Sequence, residues 1–310
     1  MSKSALVLIR TPLQAYLAEK VLHQEGIDSY DLIYVTHNDG PEDRHYFAKL
    51  SAAARHHIYC HVRPHRLDIL NHLDMAWQTR QWRRDMKLGV TLMASIDNPL
   101  LSTIAACQRQ AALVTLDDGT ANYLDTDPYR SGKLGPRSVF YRWCLGAPSI
   151  ERLKGKIARH YSLHPELDNI VPKEKLVALA AGFRSAAAGD APETSFFIGQ
   201  PFEEILKPGE LQTFLSRVRE FPVDFYIRHP RETAPLALGV PFLEKRGLIA
   251  EEVIEQASRN CRIRLIGGFS SVMLNVGRDI PRTVILTGAM KGGALMERLA
   301  RDASCQVIVL

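Results

Sequence analysis

Residues 111–123 read Ala111-Ala-Leu-Val-Thr-Leu-Asp-Asp-Gly-Thr-Ala-Asn-Tyr123. A short apolar run stops at two carboxylates and a glycine. This is the pattern of a strand buried on both faces, as in a parallel sheet, whose C-terminal end opens into a polar turn. Gly119 permits a sharp turn there. Adjacent residues on an extended chain point opposite ways, so only one of Asp117 and Asp118 need face a cleft, and the other braces or caps the loop. A counterpart lies in the second half, where Val223-Asp-Phe-Tyr-Ile227 runs into Arg228-His-Pro-Arg231. A carboxylate pair at one strand end and a histidine at another are the raw materials of acid–base chemistry in a cleft between two domains.

The same rhythm continues on either side. Ala5 to Ile9 reads as a buried strand, and Thr11-Pro12 as a helix start with threonine as cap and proline in the first turn. Leu13, Leu17, Val21 and Leu22 recur at helical spacing before Gly26. Further strands are expected over 30–35, 55–60 and 89–94, with helices over 67–86 and 99–109. The stretch 145–194 breaks the alternation with Gly146, Pro148, Pro165, Pro172, Gly182, Gly189 and Pro192, and reads as a connection containing some helix. Strands are then expected over 195–198, 223–227, 262–266, 283–286 and 306–310, with helices over 211–219 and 250–258. The fold class is α/β: two Rossmann-like domains, residues 1–150 and 195–310, joined by 151–194 and facing each other across a cleft.

Composition narrows the function. The chain has 310 residues, 46% hydrophobic and 24% charged, with a formal net charge of +5 and a pI near 8.9. That length suits two cores. The charge suits work near phosphates or an anionic membrane surface, without approaching a nucleic-acid packaging protein. Arg80-Gln-Trp-Arg-Arg84 with Lys87 is the densest basic patch, read either as a solvated helix face or as contact with an acidic partner. No interleaving of aromatic and basic residues typical of single-strand nucleic-acid grooves is present, so no nucleic-acid partner is expected. Cys60, Cys107, Cys144, Cys261 and Cys305 have neither metal-ligand nor redox spacing and read as buried thiols in a reducing compartment. His56, His57 and His61 cluster without a cysteine or carboxylate at zinc spacing. No signal peptide or apolar run of about 20 residues is present. A cytoplasmic location is expected, with peripheral contact at the inner face of the cytoplasmic membrane compatible with the charge.

Three loops carry the chemistry. Gly267-Gly-Phe-Ser-Ser271 joins a strand end to a helix start, where free amides and hydroxyls can cradle an anion; an ordinary serine-capped turn looks the same. In His229-Pro230-Arg231 the imidazole can donate a proton or hydrogen bond to a phosphate oxygen, with Arg231 adding charge; a plain surface turn is the alternative. At Asp117-Asp118-Gly119 a carboxylate can take a proton from a sugar hydroxyl, although acidic strand ends also bind magnesium.

Several short pieces together resemble the bacterial lipooligosaccharide sialyltransferases of glycosyltransferase family 52. They are Arg10-Thr-Pro-Leu-Gln14 with Ala18-Glu19, Asp117-Asp-Gly-Thr-Ala-Asn122, His160-Tyr-Ser162, Ile198-Gly-Gln-Pro201, His229-Pro-Arg231 and Phe269-Ser-Ser271. They occur in family order over roughly residues 5–290. The resemblance implies a two-domain GT-B fold, a CMP-sialic acid donor, a glycan acceptor such as a terminal galactoside, transfer with inversion, and no metal or other cofactor. It implies that His229 assists departure of CMP and that Gly268, Ser270 and Ser271 hold the phosphate. Gly199, Gln200 and Pro201 line the nucleotide site, joined by Pro230, Arg231, Gly267 and Phe269. Asp118 is the expected base, supported by Asp117, Gly119, Thr11 and Gln14. Glu203 is the alternative base, because Phe202 stands where the family pattern has an aspartate. A hexosyl donor on the same fold is the alternative activity, and a homodimer is a further expectation.

Overall fold

The computed structural model describes residues 4–62, 68–124, 128–179, 183, 191–288, 290 and 293–310. The chain forms two units, Met1–Ala181 and Gly182–Leu310. In the first, β1 (Ser4–Ile9), α1 (Pro12–Glu25), β2 (Ser29–Thr36), α2 (Pro41–Ser51) and β3 (His56–His61) run in one direction across the sheet. The chain then crosses through α3 (Asp68–Gln78) to β4 (Val90–Met93), α4 (Pro99–Cys107) and β5 (Ala112–Leu116). Three helices, α5 (Pro128–Ser131), α6 (Pro136–Cys144) and α7 (Ile150–Lys156), lead to β6 (Ile157–Ser162) and β7 (Leu176–Ala178). The sheet order is β3-β2-β1-β4-β5-β6-β7 and every pairing is parallel. The order reverses between β1 and β4, which is the switch point where open α/β sheets bind ligands beyond their C-terminal strand ends.

Local sequence explains these elements. Ala5 to Ile9 are completely buried, as a central parallel strand covered on both faces must be. Thr11 caps α1, its hydroxyl accepting from the Gln14 N–H at 3.2 Å, with Pro12 in the first turn. One face of the sheet packs a core from Leu6, Leu8, Val35, Met75, Leu100, Ile104 and Leu153. On that face α3 and α6 both pack against α4, whose residues 99–105 are all buried.

The second unit contains β8 (Glu193–Ile198), α8 (Phe202–Ile205), α9 (Pro208–Val218), β9 (Phe225–Ile227), α10 (Ala250–Ala257), β10 (Arg262–Gly267), α11 (Ser271–Asn275), β11 (Arg282–Leu286), α12 (Gly293–Asp302) and β12 (Gln306–Val309). Its parallel sheet has the order β12-β11-β10-β8-β9, so the switch lies between β8 and β10. Arg282 is buried, and its guanidinium donates to the carbonyls of Met273, Val276 and Ala303. It thereby ties the C-terminal ends of α11 and α12 to the start of β11.

Three expectations need correction. Residues 151–194 are not one connection: α7, β6 and β7 belong to the first unit, and the division falls at 181/182. The helix expected over 67–86 ends at Gln78. A 3-10 turn follows, and the Gln108 side-chain amide holds the carbonyls of Trp82 and Arg84 at 3.0 and 2.8 Å. The cysteines are all free, but only Cys60 and Cys305 are buried and Cys144 is exposed.

Candidate active site

The two adjacent aspartates after β5 have opposite surroundings. Asp117 is buried and accepts five hydrogen bonds. Tyr123 Oη, Ser162 Oγ and the Leu163 N–H donate to Oδ2 at 2.6, 3.0 and 2.7 Å. His160 Nε2 and Asn169 Nδ2 approach Oδ1 at 3.0 and 3.3 Å. His160 Nδ1 in turn lies 2.7 Å from Thr115 Oγ1. Burial alone would raise the Asp117 carboxyl, but the bonds from His160, Tyr123 and Leu163 outweigh it and hold it below the usual carboxylate range. Every part of this carboxylate is spent on bracing the loop.

Asp118 is only half-buried and points the other way. Gln14 Nε2 donates to Oδ1 at 2.6 Å, Ser95 Oγ donates to Oδ2 at 3.1 Å, and Tyr129 Oη also lies against Oδ2. The amide orientation of Gln14 is settled, because its Oε1 accepts from the Arg10 N–H at 2.8 Å and its Nε2 also reaches Ser95 Oγ at 2.9 Å. Tyr129 Oη is 3.0 Å from Asp97 Oδ1 as well, so one phenol proton serves two carboxylates. Burial, with the Asp97 charge adding to it, raises the Asp118 carboxyl above its ordinary value against the pull of those donors. The Tyr129 phenol is itself driven well above its usual value by burial and by Asp118, so it stays a donor. The loop is shaped by Gly119, whose φ of +60° lies in the left-handed region, and by the bond from the Asp118 N–H to Asn122 Oδ1 at 2.6 Å. Arg10, Ser95 and Asp118 follow β1, β4 and β5, placing the cluster at the switch point. Thr11 is the cap whose hydroxyl accepts from the Gln14 N–H.

In the second unit the strand ends of β8, β9 and β10 carry the other residues. The Arg231 N–H donates to His229 Nδ1 at 3.1 Å. With Nδ1 an acceptor, the neutral ring carries its proton on Nε2 and presents it as a donor. Pro230 and Arg231 are exposed, and Arg231 pairs with Glu204 at 3.4 Å. Gln200 Nε2 donates to the Phe269 carbonyl at 2.7 Å, stitching the β8 turn to the β10 turn. A Cβ at Gly268 would sit 2.3 Å from Gln200 Oε1, and one at Gly199 would sit 2.7 Å from the Tyr226 ring. These glycines therefore allow close packing of neighbouring loops. Gly267 is packed in the same way, 3.0 Å from the Ile198 carbonyl on the same measure. Ser270 caps α11, its Oγ accepting from the Met273 N–H at 3.5 Å while its own proton remains available for donation, and Ser271 follows half-buried.

Glu203 is exposed and turned to Thr233, whose N–H lies 3.3 Å from Oε1 and whose hydroxyl also donates to it. The Thr233 hydroxyl leads the effects that lower this carboxyl below its ordinary value, the opposite direction to Asp118. Pro201 begins the turn into α8. No group of three or more potential metal ligands occurs among the described residues. Ser95, Asp97 and Tyr129 had no sequence signal as site residues. Arg10 and His160 lay inside recognised motifs, without an assigned role.

Two doubly wound parallel sheets, each with polar loops gathered at its switch point, make this a GT-B fold. The solved structures agree. The glycotransferase of kitacinnamycin has a TM-score of 0.55 at 10% identity, covering 100% of this chain and 86% of that one. A Photobacterium 2,6-sialyltransferase, in a ternary complex with CMP and lactose, has a TM-score of 0.54 at 11% identity, covering 98% and 78%. The model of glycosyltransferase family 52 matches residues 68–282, and the chain belongs to that family. An N-acetyllactosaminide alpha-2,3-sialyltransferase of Neisseria meningitidis is 22% identical over 306 residues, 94% of this chain and 80% of the relative. A protein of the same name from Haemophilus influenzae is 28% identical over 188 residues, 59% of each.

Proposed function

We propose that the protein transfers sialic acid from CMP-sialic acid to a galactoside acceptor with inversion. In this reaction the acceptor oxygen bonds to the anomeric carbon of the sugar. The bond from that carbon to the CMP phosphate breaks, its electron pair leaves with the phosphate, and the acceptor proton passes to Asp118. The single observation that carries the reading is the division of labour after β5, where Asp117 is consumed by five donors and Asp118 is left half-buried with a raised carboxyl. A raised carboxyl is a stronger base, and such assistance is worth roughly 10²–10⁴ in rate. His229 Nε2–H donates to the departing phosphate, with Ser270 and Ser271 hydroxyls adding further donors; stabilising charge that develops on a leaving group is a large catalytic term. The names of both relatives support transfer of a sialyl group to an N-acetyllactosaminide-type acceptor.

The test is incubation with CMP-sialic acid and a panel of labelled galactosides, alongside melting curves with CMP, UDP and GDP. Selective stabilisation by CMP, by about 2.7 kcal/mol at a hundredfold excess over Kd, and transfer lost in Asp118→Ala and His229→Ala are expected. Stabilisation by UDP or GDP instead of CMP, or full transfer by both variants, overturns the proposal.

A further inference from the structure

Two helices of the first unit present apolar side chains outward. On α3 these are Leu70, Leu73 and Trp77, and on α6 Val139, Phe140 and Trp143. Trp77 is 66% and Trp143 78% exposed, unusual for the largest apolar side chain. The opposite sides of these helices are already used, since Met75 of α3 enters the core and Arg142 of α6 is buried, donating to the carbonyls of Asp97 and Pro148. Both helices pack on the same buried helix, α4. Packed helices sit 8–10 Å apart, so the axes of α3 and α6 lie within roughly 20 Å of each other. Single exposed apolar residues need no explanation, but six on two helices that pack on the same buried helix call for a partner.

The charge around this surface selects its occupant. Arg80, Arg83, Arg84 and Lys87 follow α3 directly and are exposed, and Arg137 is exposed at the start of α6. Among the residues of these segments whose exposure is described, Asp74 and Asp85 are the exposed acids that oppose them, and Asp74 already accepts from Gln78 Nε2 at 2.8 Å. The Arg80 guanidinium lies 4.0 Å from the centroid of the Trp77 ring, so indole and cation are presented together. Two copies of this face brought together would oppose like charges. An anionic lipid surface complements them, with tryptophan and phenylalanine entering at headgroup depth and arginine meeting the phosphates.

We propose that the α3–α6 face docks the protein on anionic membrane lipid, lying on the surface and not crossing it. No described helix is long and apolar enough to span a bilayer. The inference does not depend on which sugar is transferred.

The experiment is co-sedimentation of the full chain with phosphatidylglycerol–phosphatidylcholine vesicles and with phosphatidylcholine vesicles alone. Binding to the anionic vesicles that weakens with salt is expected. Trp77→Ser/Trp143→Ser should reduce partitioning about tenfold, and Arg80→Glu/Arg84→Glu should reduce it by a similar factor on anionic vesicles only. All four positions are exposed, and unchanged circular dichroism and CMP-induced melting shifts establish that the variants fold. Absence of binding to anionic vesicles overturns the proposal, as does binding that both double variants retain. If the tryptophan variant instead converts a dimer to a monomer in sedimentation velocity while vesicle binding is unchanged, the face joins copies of the chain and the lipid assignment is wrong.

Discussion

Replacing Asp117 and Asp118 in turn should produce opposite phenotypes. Asp117→Ala removes a buried acceptor and strands the Tyr123 and Ser162 hydroxyls, the Leu163 N–H, the Asn169 amide and His160 Nε2. A buried donor left without a partner costs about 1–3 kcal/mol, and breaking a buried ionic group typically costs about 3–5 kcal/mol. Because the five donors share one cavity that water can partly refill, a total near 4 kcal/mol is expected in place of the sum. Asp118→Ala removes one acceptor from Gln14, Ser95 and Tyr129, of which Gln14 keeps Ser95 Oγ and Tyr129 keeps Asp97 Oδ1, and it also relieves a carboxylate whose burial is unfavourable. Its stability should change by about 1 kcal/mol, while kcat/KM falls by roughly 10²–10⁴. Guanidinium unfolding followed by circular dichroism, with transfer assays on the folded fraction, measures both. The sign of the pH dependence is also set. The folded Asp117 carboxyl lies below its unfolded value, so its stabilisation is present above the ordinary carboxylate range and is lost as pH falls through the folded value. An Asp117→Ala protein as stable as the wild type, or an Asp118→Ala protein destabilised by the larger amount, refutes the assignment of brace and base.

Other consequences are as concrete. Tyr129→Phe removes a donor that favours the charged form of Asp118, so the acidic limb of the kcat/KM profile should move to higher pH; a limb that stays put or moves down excludes Asp118 as the group titrating there. Nitrogen NMR of His229 should find Nδ1 unprotonated and Nε2 protonated in the neutral ring, and the reverse tautomer would remove the donor assigned to CMP departure. Gly268→Ala pushes a methyl into Gln200 Oε1 and should reduce CMP-induced stabilisation at least tenfold in affinity, with overpacking costing about 1–3 kcal/mol of stability. Thiol titration of the native protein should label Cys144 first, and Cys144→Ser should remove that fast equivalent.

The strands that make the two sheets were legible because their buried parts are short, mainly apolar runs ended by Gly, Pro or Asp, as at Leu113–Leu116 before Asp117 and Leu265-Ile266 before Gly267. β6 escaped notice for a physical reason. Its buried residues include His160 and Ser162, polar side chains kept inside by their bonds to Asp117, so hydropathy reads the strand as loop. β7 is an edge strand of three residues with no pattern to detect. The overlong α3 followed from a periodicity that Trp82 continues while a tertiary bond from Gln108 holds the chain in a turn. At the site, Asp118, Gln14 and His229 sit in short motifs with recognisable chemistry. Ser95 and Tyr129 are ordinary residues that only the switch-point topology brings to the carboxylate.

Arg282 lies at the last position of the family match, at the start of β11 in the second sheet. Its guanidinium grips α11 from the end opposite Ser270, so the serine turn is anchored at its rear by a cation that touches no loop residue of that turn. Sequence drift at this arginine would loosen, from a distance, the turn proposed to hold the nucleotide. Natural variants with weakened donor affinity and an intact set of contact residues are therefore to be sought at position 282.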